Sequence, residues 1–160
     1  MTSSRKFQPD PRLDLVLDRI VDVPPALVWA AWTQPEHLCQ WFCPLPWKVV
    51  ECEIDVRPGG IFRNVMRGPE GEEHINVWCI LEAIPERRLV YTTALGPNFR
   101  PNGNSFVTAI IELEPHGAGT HYVATALHKD EETQQEHVKM GFHQGWSAVL
   151  DQLVALVKTF

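Results

Sequence analysis

The carboxyl-terminal segment carries an apolar stripe that narrows the folds open to this chain more than any other feature. Val138, Phe142, Trp146, Val149, Leu153, Leu156 and Phe160 recur at intervals of three and four. That spacing is one face of an amphipathic helix, predicted here over about Asp130 to Lys158. Asp130 or Thr133 can cap its start, where Asp130, Glu131 and Glu132 suit the positive end of the helix dipole. Beside the stripe lie Gly141, Gly145 and Ala148. An interior glycine weakens a helix by roughly 1 kcal/mol relative to alanine. Two of them predict that something approaches the helix backbone closely, either a packed neighbouring element or a ligand.

Such a stripe needs a broad apolar surface opposite, and the rest of the chain supplies one as strands. Leu13 to Val23 alternates, with Leu13, Leu15, Leu17, Val21 and Val23 on one side and Asp14, Asp18 and Asp22 on the other. Arg19 interrupts the apolar side, so it requires a carboxylate partner or a bulge. Pro24-Pro25 and Pro35 open two short helices. Strands follow over Val49 to Val56, Ile61 to Arg67, Glu73 to Ile84, Arg88 to Leu95, Phe106 to Glu114 and Thr120 to His128. Tight turns between them, such as Pro58-Gly59-Gly60, favour an antiparallel meander. The expected class is α+β: about seven antiparallel strands, two short helices after the first strand, and one long carboxyl-terminal helix over one sheet face. Residues 1–11 read as a loose tail and 12–160 as a single domain.

Charge narrows the partners. The net charge is -6 and no Lys/Arg run occurs, so a nucleic-acid surface is not expected. No apolar run approaches the roughly 20 residues of a membrane span. Met1 to Pro11 lacks the apolar core of a signal peptide, which makes the cytoplasm the expected compartment. The four cysteines, Cys39, Cys43, Cys52 and Cys79, form no C-x-x-C pair and are expected to be reduced thiols without metal. Six tryptophans exceed what a small core packs easily, and some are expected to line a cavity instead.

Three segments together carry a resemblance. They are Trp32-Thr33-Gln34-Pro35-Glu36-His37-Leu38 through Trp41-Phe42, then Arg57-Pro58-Gly59-Gly60-Ile61-Phe62 through Met66, and Gly141-Phe142-His143-Gln144-Gly145-Trp146. In this order they resemble the SRPBCC, or START-like, superfamily, which shares its fold with the birch-pollen allergen. Within it, the chain is similar to bacterial proteins akin to the C-terminal domain of the heat-shock-protein-90 ATPase activator. The likeness spans roughly residues 13 to 158. It implies a helix-grip fold, in which the sheet curls round the last helix and leaves an internal cavity for an apolar or amphipathic molecule. The family pattern has glycine where this chain has Trp78, and the tryptophan implies a smaller cavity.

Strand parity and the resemblance nominate a ligand site of Trp41, Phe62, Asn64, Met66, Trp78 and Tyr91, with His128 and His137 near its polar end and Gly141 leaving room where the helix crosses the ligand. Asn64, if inward, is a buried amide that needs partners. His128 and His137 are also the candidates for acid–base catalysis; the alternative is that they hydrogen-bond each other or cap a loop. No G-x-S-x-G, phosphate loop or cofactor motif occurs, and no His, Cys or acidic spacing suits a metal. The function expected is binding of a small hydrophobic or aromatic molecule. A cyclase- or aromatase-like enzyme and a co-chaperone-like interaction module are the alternatives, and a homodimer is compatible with each.

Overall fold

The computed structural model describes residues 7–160. The first six residues of the expected tail lie outside them. Of the remainder, Asp10 and Pro11 are tied in: the Asp10 carbonyl accepts from Asp14 N (2.8 Å), and the Pro11 carbonyl from Gln134 Nε2 (2.9 Å).

The strands are β1 (Asp14–Val21), β2 (Lys48–Ile54), β3 (Ile61–Arg67), β4 (Glu73–Ile84), β5 (Arg88–Thr92), β6 (Leu95–Gly96), β7 (Arg100–Pro101), β8 (Thr108–His116) and β9 (Gly119–Leu127). Seven of them form one antiparallel sheet in the order β1-β9-β8-β5-β4-β3-β2. The short β6 and β7 pair with each other inside the long loop before β8. The first two main strands therefore end on opposite edges. Helices α1 (Pro25–Thr33) and α2 (Pro35–Trp41) bridge the gap, each opened by the proline expected there.

Two bulges bend the sheet. The register shifts between Val49 and Glu51 against β3, and between Ile80 and Glu82 against β5. Each shift breaks the strict alternation on which the parity argument rests. Val49 is buried while Val50 is exposed. Glu82, two residues beyond the buried Ile80, pairs with Arg88 at 2.6 Å.

The single long helix is the main departure from expectation. The segment forms two helices, α3 (Glu131–Lys139) and α4 (Phe142–Val157). Gly141 joins them with φ +90°, a left-handed conformation that stops α3 and that an L side chain rarely adopts. Asp130 is the cap of α3, its carboxylate accepting from Thr133 N at 2.8 Å. The ends of the expected stripe fall away: Val138 is 38% and Phe160 50% exposed. Of its centre, Phe142 and Leu153 are buried and Trp146, Val149 and Leu156 are half-buried, while Leu150 and Val157, outside the expected stripe, are buried as well. Helix α4 completes a core with Val28, Trp32, Leu38, Phe62, Leu89, Ile111 and Tyr122.

Arg19 finds its carboxylate on α4. Its guanidinium lies 2.8 Å from Asp151 and donates to the Ser147 hydroxyl and carbonyl. An inward arginine thus clamps helix to sheet with no bulge. Gln152 fixes the other flank, its amide donating to the carbonyls of Trp41 (2.9 Å) and Cys43 (3.0 Å).

Candidate functional site

Between α4 and the sheet lies a cavity of about 340 Å³, within the range of small-molecule sites. Its sheet wall comes from Leu17 of β1, Met66 of β3, Trp78 of β4, Tyr91 of β5, and Tyr122 and Ala124 of β9. Trp32 of α1 and the Trp41-Phe42-Cys43 end of α2 form one side. Gly141, Phe142, Gly145, Trp146 and Val149 form the roof. Phe106, Val107, His137 and Met140 stand at the remaining side, and Met140 is 70% exposed.

The aromatic wall is a packed mosaic. Trp78 stacks on Tyr91 (centroids 5.5 Å apart, planes 12° from parallel). Phe62 meets both rings edge-on from behind, at 5.2 Å and 5.1 Å. Trp78 thus builds part of the wall, and the cavity remains beside it. Trp32 is fixed by its Nε1–H donating to the Tyr122 hydroxyl (3.1 Å), and Trp41 by its Nε1–H donating to the Ala31 carbonyl (2.9 Å). Rings held by both packing and a hydrogen bond keep the wall stiff.

Of the nine nominated site residues, Trp41, Met66, Trp78, Tyr91, His137 and Gly141 line this cavity. Phe62 does not. It is 0% exposed and supports the wall from behind. Asn64 does not either. It is 1% exposed and faces Asn76 across the strand pair, whose Nδ2–H donates to its Oδ1 at 3.0 Å. Its own Nδ2 has no partner among the described residues. His128 sits behind His137 rather than on the wall.

The histidines form an ordered pair. His128 Nδ1 lies 2.7 Å from the Leu13 carbonyl, and His128 Nε2 lies 2.8 Å from His137 Nδ1. Both rings are buried, at 7% and 6% exposure. His137 packs against Phe106, Phe142 and Trp146. Burial, with His128 beside it, pushes the His137 imidazole down to about 4. Burial also raises the Tyr91 and Tyr122 phenols well above their usual values and the Cys43 thiol to about 11. The titratable wall groups His137, Tyr91, Tyr122 and Cys43 are therefore neutral at pH 7. The Tyr122 hydroxyl accepts from the Trp32 indole N–H.

At the roof glycines no packed neighbouring element makes a close approach. A Cβ at Gly141 would meet nothing nearer than Gln144 Oε1 at 3.8 Å, and a Cβ at Gly145 would meet nothing within 4 Å. Gly141 serves the helix break. Gly145 lies inside α4 and faces open cavity. Phe42, Tyr122, Phe106 and Trp146 were not nominated. Trp146 carried a signal, since its place on the helix stripe is readable. Tyr122 reaches the site through strand pairing across the sheet, and Phe106 through the loop that leads into β8.

No group of three or more His, Cys, Asp and Glu side chains placed to hold a metal ion occurs among the described residues. Nor is any helix among them long and apolar enough to cross a membrane.

No curated protein matches the chain. Solved structures do. A crystal structure from Nitrosomonas europaea shares 45% identity and a TM-score of 0.92, covering 94% of this chain and 97% of that one. A protein from Mycobacterium smegmatis shares 24% identity with a TM-score of 0.76, covering 91% and 90%. One from Rhodobacter sphaeroides shares 21% with a TM-score of 0.82, covering 97% and 99%. The two latter likenesses speak for the fold alone. The fold is that of a ligand-binding-type domain. The family model described as "Activator of Hsp90 ATPase homolog 1-like protein" matches residues 22–158, nearly the whole chain, and the chain belongs to that family.

Proposed function

We propose that the protein binds a small apolar or aromatic molecule in the cavity beneath α4. The observation that carries this reading is Gly145. An interior helical glycine weakens α4 by roughly 1 kcal/mol, and close packing, its usual reason, is absent because no atom lies within 4 Å of where a Cβ would stand. What the glycine leaves is room. The wall supports the same reading. It is mostly aromatic and aliphatic, is braced by hydrogen bonds, and offers a few neutral polar groups, the usual architecture of a small-molecule site.

The His128–His137 pair supports a second reading, acid–base catalysis on the bound molecule. A histidine neutral at pH 7 has a lone pair open to a proton, although burial makes His137 a weak base. The co-chaperone reading has the family's name in its favour, but a module working only through its surface has no use for an open interior.

Titration with N-phenyl-1-naphthylamine, whose emission rises in apolar surroundings, tests the binding reading. Saturable one-site binding is expected for the parent protein and at least about tenfold weaker binding for Gly145→Leu, whose side chain would fill the cavity. Absence of saturable binding, or unchanged binding in Gly145→Leu, would contradict it.

A further inference from the structure

The hydrogen-bond chain behind the cavity wall has only one consistent direction for neutral rings. The Leu13 carbonyl can only accept, so His128 Nδ1, 2.7 Å away, carries a proton. A neutral imidazole has one N–H, so His128 Nε2 is a lone pair. At 2.8 Å from it, His137 Nδ1 must donate. His137 Nε2 is then left as a lone pair: the ring's hydrogen bond is made through Nδ1, Nε2 is not among the fully enclosed polar atoms, and the side chain lines the cavity. The reverse direction needs a proton on both nitrogens of His128. No carboxylate bonds either ring to hold that charge, and the rings around His137 are those of His128, Phe106, Phe142 and Trp146.

We infer that the ligand is an aromatic molecule bearing a hydroxyl group, a phenol, whose O–H donates to His137 Nε2. This rests on the binding reading above and adds a chemical class to it. A purely apolar ligand would cover that lone pair and leave a desolvated acceptor unpaired. An anionic ligand would meet a second lone pair there and no cation: the wall has no Lys or Arg. An aromatic hydroxyl satisfies the acceptor, and its ring fits among Trp78, Tyr91 and Trp146. His137 has the state the inference requires, because burial keeps it neutral at pH 7.

Two near-isosteric probes test it: 2-naphthol and 2-methylnaphthalene, titrated into the parent and into His137→Phe. In an apolar cavity without a hydrogen-bond acceptor the methyl compound binds more tightly, because a buried hydroxyl loses its water. The parent is expected to reverse that order, favouring 2-naphthol by about tenfold. His137→Phe should restore the apolar order. If neither probe binds the parent, the binding reading itself falls. If both bind but the methyl compound binds the parent as tightly, the inference is overturned while the binding reading stands. If the preference for 2-naphthol survives His137→Phe, another group receives the hydroxyl and the inference is again overturned. Nitrogen NMR of the parent imidazoles gives a check that needs no substitution. The proton should sit on His137 Nδ1, with Nε2 unprotonated; the opposite tautomer would overturn the chain's direction.

Discussion

Gly141 and Gly145 stand four residues apart in one glycine-tryptophan motif, yet they solve different problems. Gly141 has φ +90° and ends α3; Gly145 is helical and faces open space. The same substitution should therefore act in opposite directions. Gly141→Ala is expected to destabilise by about 1–2 kcal/mol, the penalty of a side chain in left-handed backbone. Gly145→Ala is expected to stabilise by roughly 0.5–1 kcal/mol, through helix propensity alone. Denaturant melts of the two variants measure this. A destabilised Gly145→Ala would mean that the backbone there needs glycine for packing, and that the open space is not held for a ligand. Trp41, Trp78, His137 and Gly141, which line the cavity, were legible because each is unusual in its local context. Phe62 and Asn64 were misplaced, because alternation tells which face a residue takes and says nothing of how deep it lies.

At the scale of elements, the succession of main strands along the chain and the two proline-opened helices were readable from turns and periodicity, whereas the pairing of β1 with β9 was not. The bulges at Val49/Glu51 and Ile80/Glu82 were not, because an inserted residue leaves no compositional mark. The break between α3 and α4 was readable only in part. Apolar spacing of three and four runs through the junction, and glycine is tolerated inside helices as well as at their ends. The break matters to function because it places Met140 and Gly141 at the cavity while His137, on α3, reaches back to His128. Helix α4 is anchored at its centre and carboxyl-terminal end. Leu153, fully buried, is expected to lose about 2–5 kcal/mol on truncation to alanine. Trp146, partly buried and bordering the cavity, should lose less than such a large ring suggests, since part of its surface has no protein neighbour. Chemical denaturation ranks them; a larger loss for Trp146→Ala would place that ring in close packing rather than on a cavity wall.

For the whole molecule, the buried His137 ties stability to pH. His137 titrates near 6.5 when unfolded and is pushed down to about 4 in the folded protein. The unfolded chain therefore binds the proton more readily between those values. Stability is fully present above about pH 6.5 and is lost as pH falls toward 4. Between pH 7 and 5 the loss from this group is about 2 kcal/mol. His137→Phe should lose correspondingly less over the same interval; equal slopes would show that the ring is solvated in the folded state. The sheet, helices and ion pairs such as Arg19–Asp151 together make a frame whose interior is left partly open, and the central claim is that a small molecule fills that opening. The tryptophan indole N–H signals report on it directly. Trp32, Trp41, Trp78 and Trp146 line the cavity, whereas Trp29 and Trp47 do not. Titrating 2-naphthol into the labelled protein should shift indole signals from the first group saturably and leave those of Trp29 and Trp47 in place, with the response lost in Gly145→Leu. Saturable shifts confined to Trp29 or Trp47, or no saturable shift at all, would contradict the account.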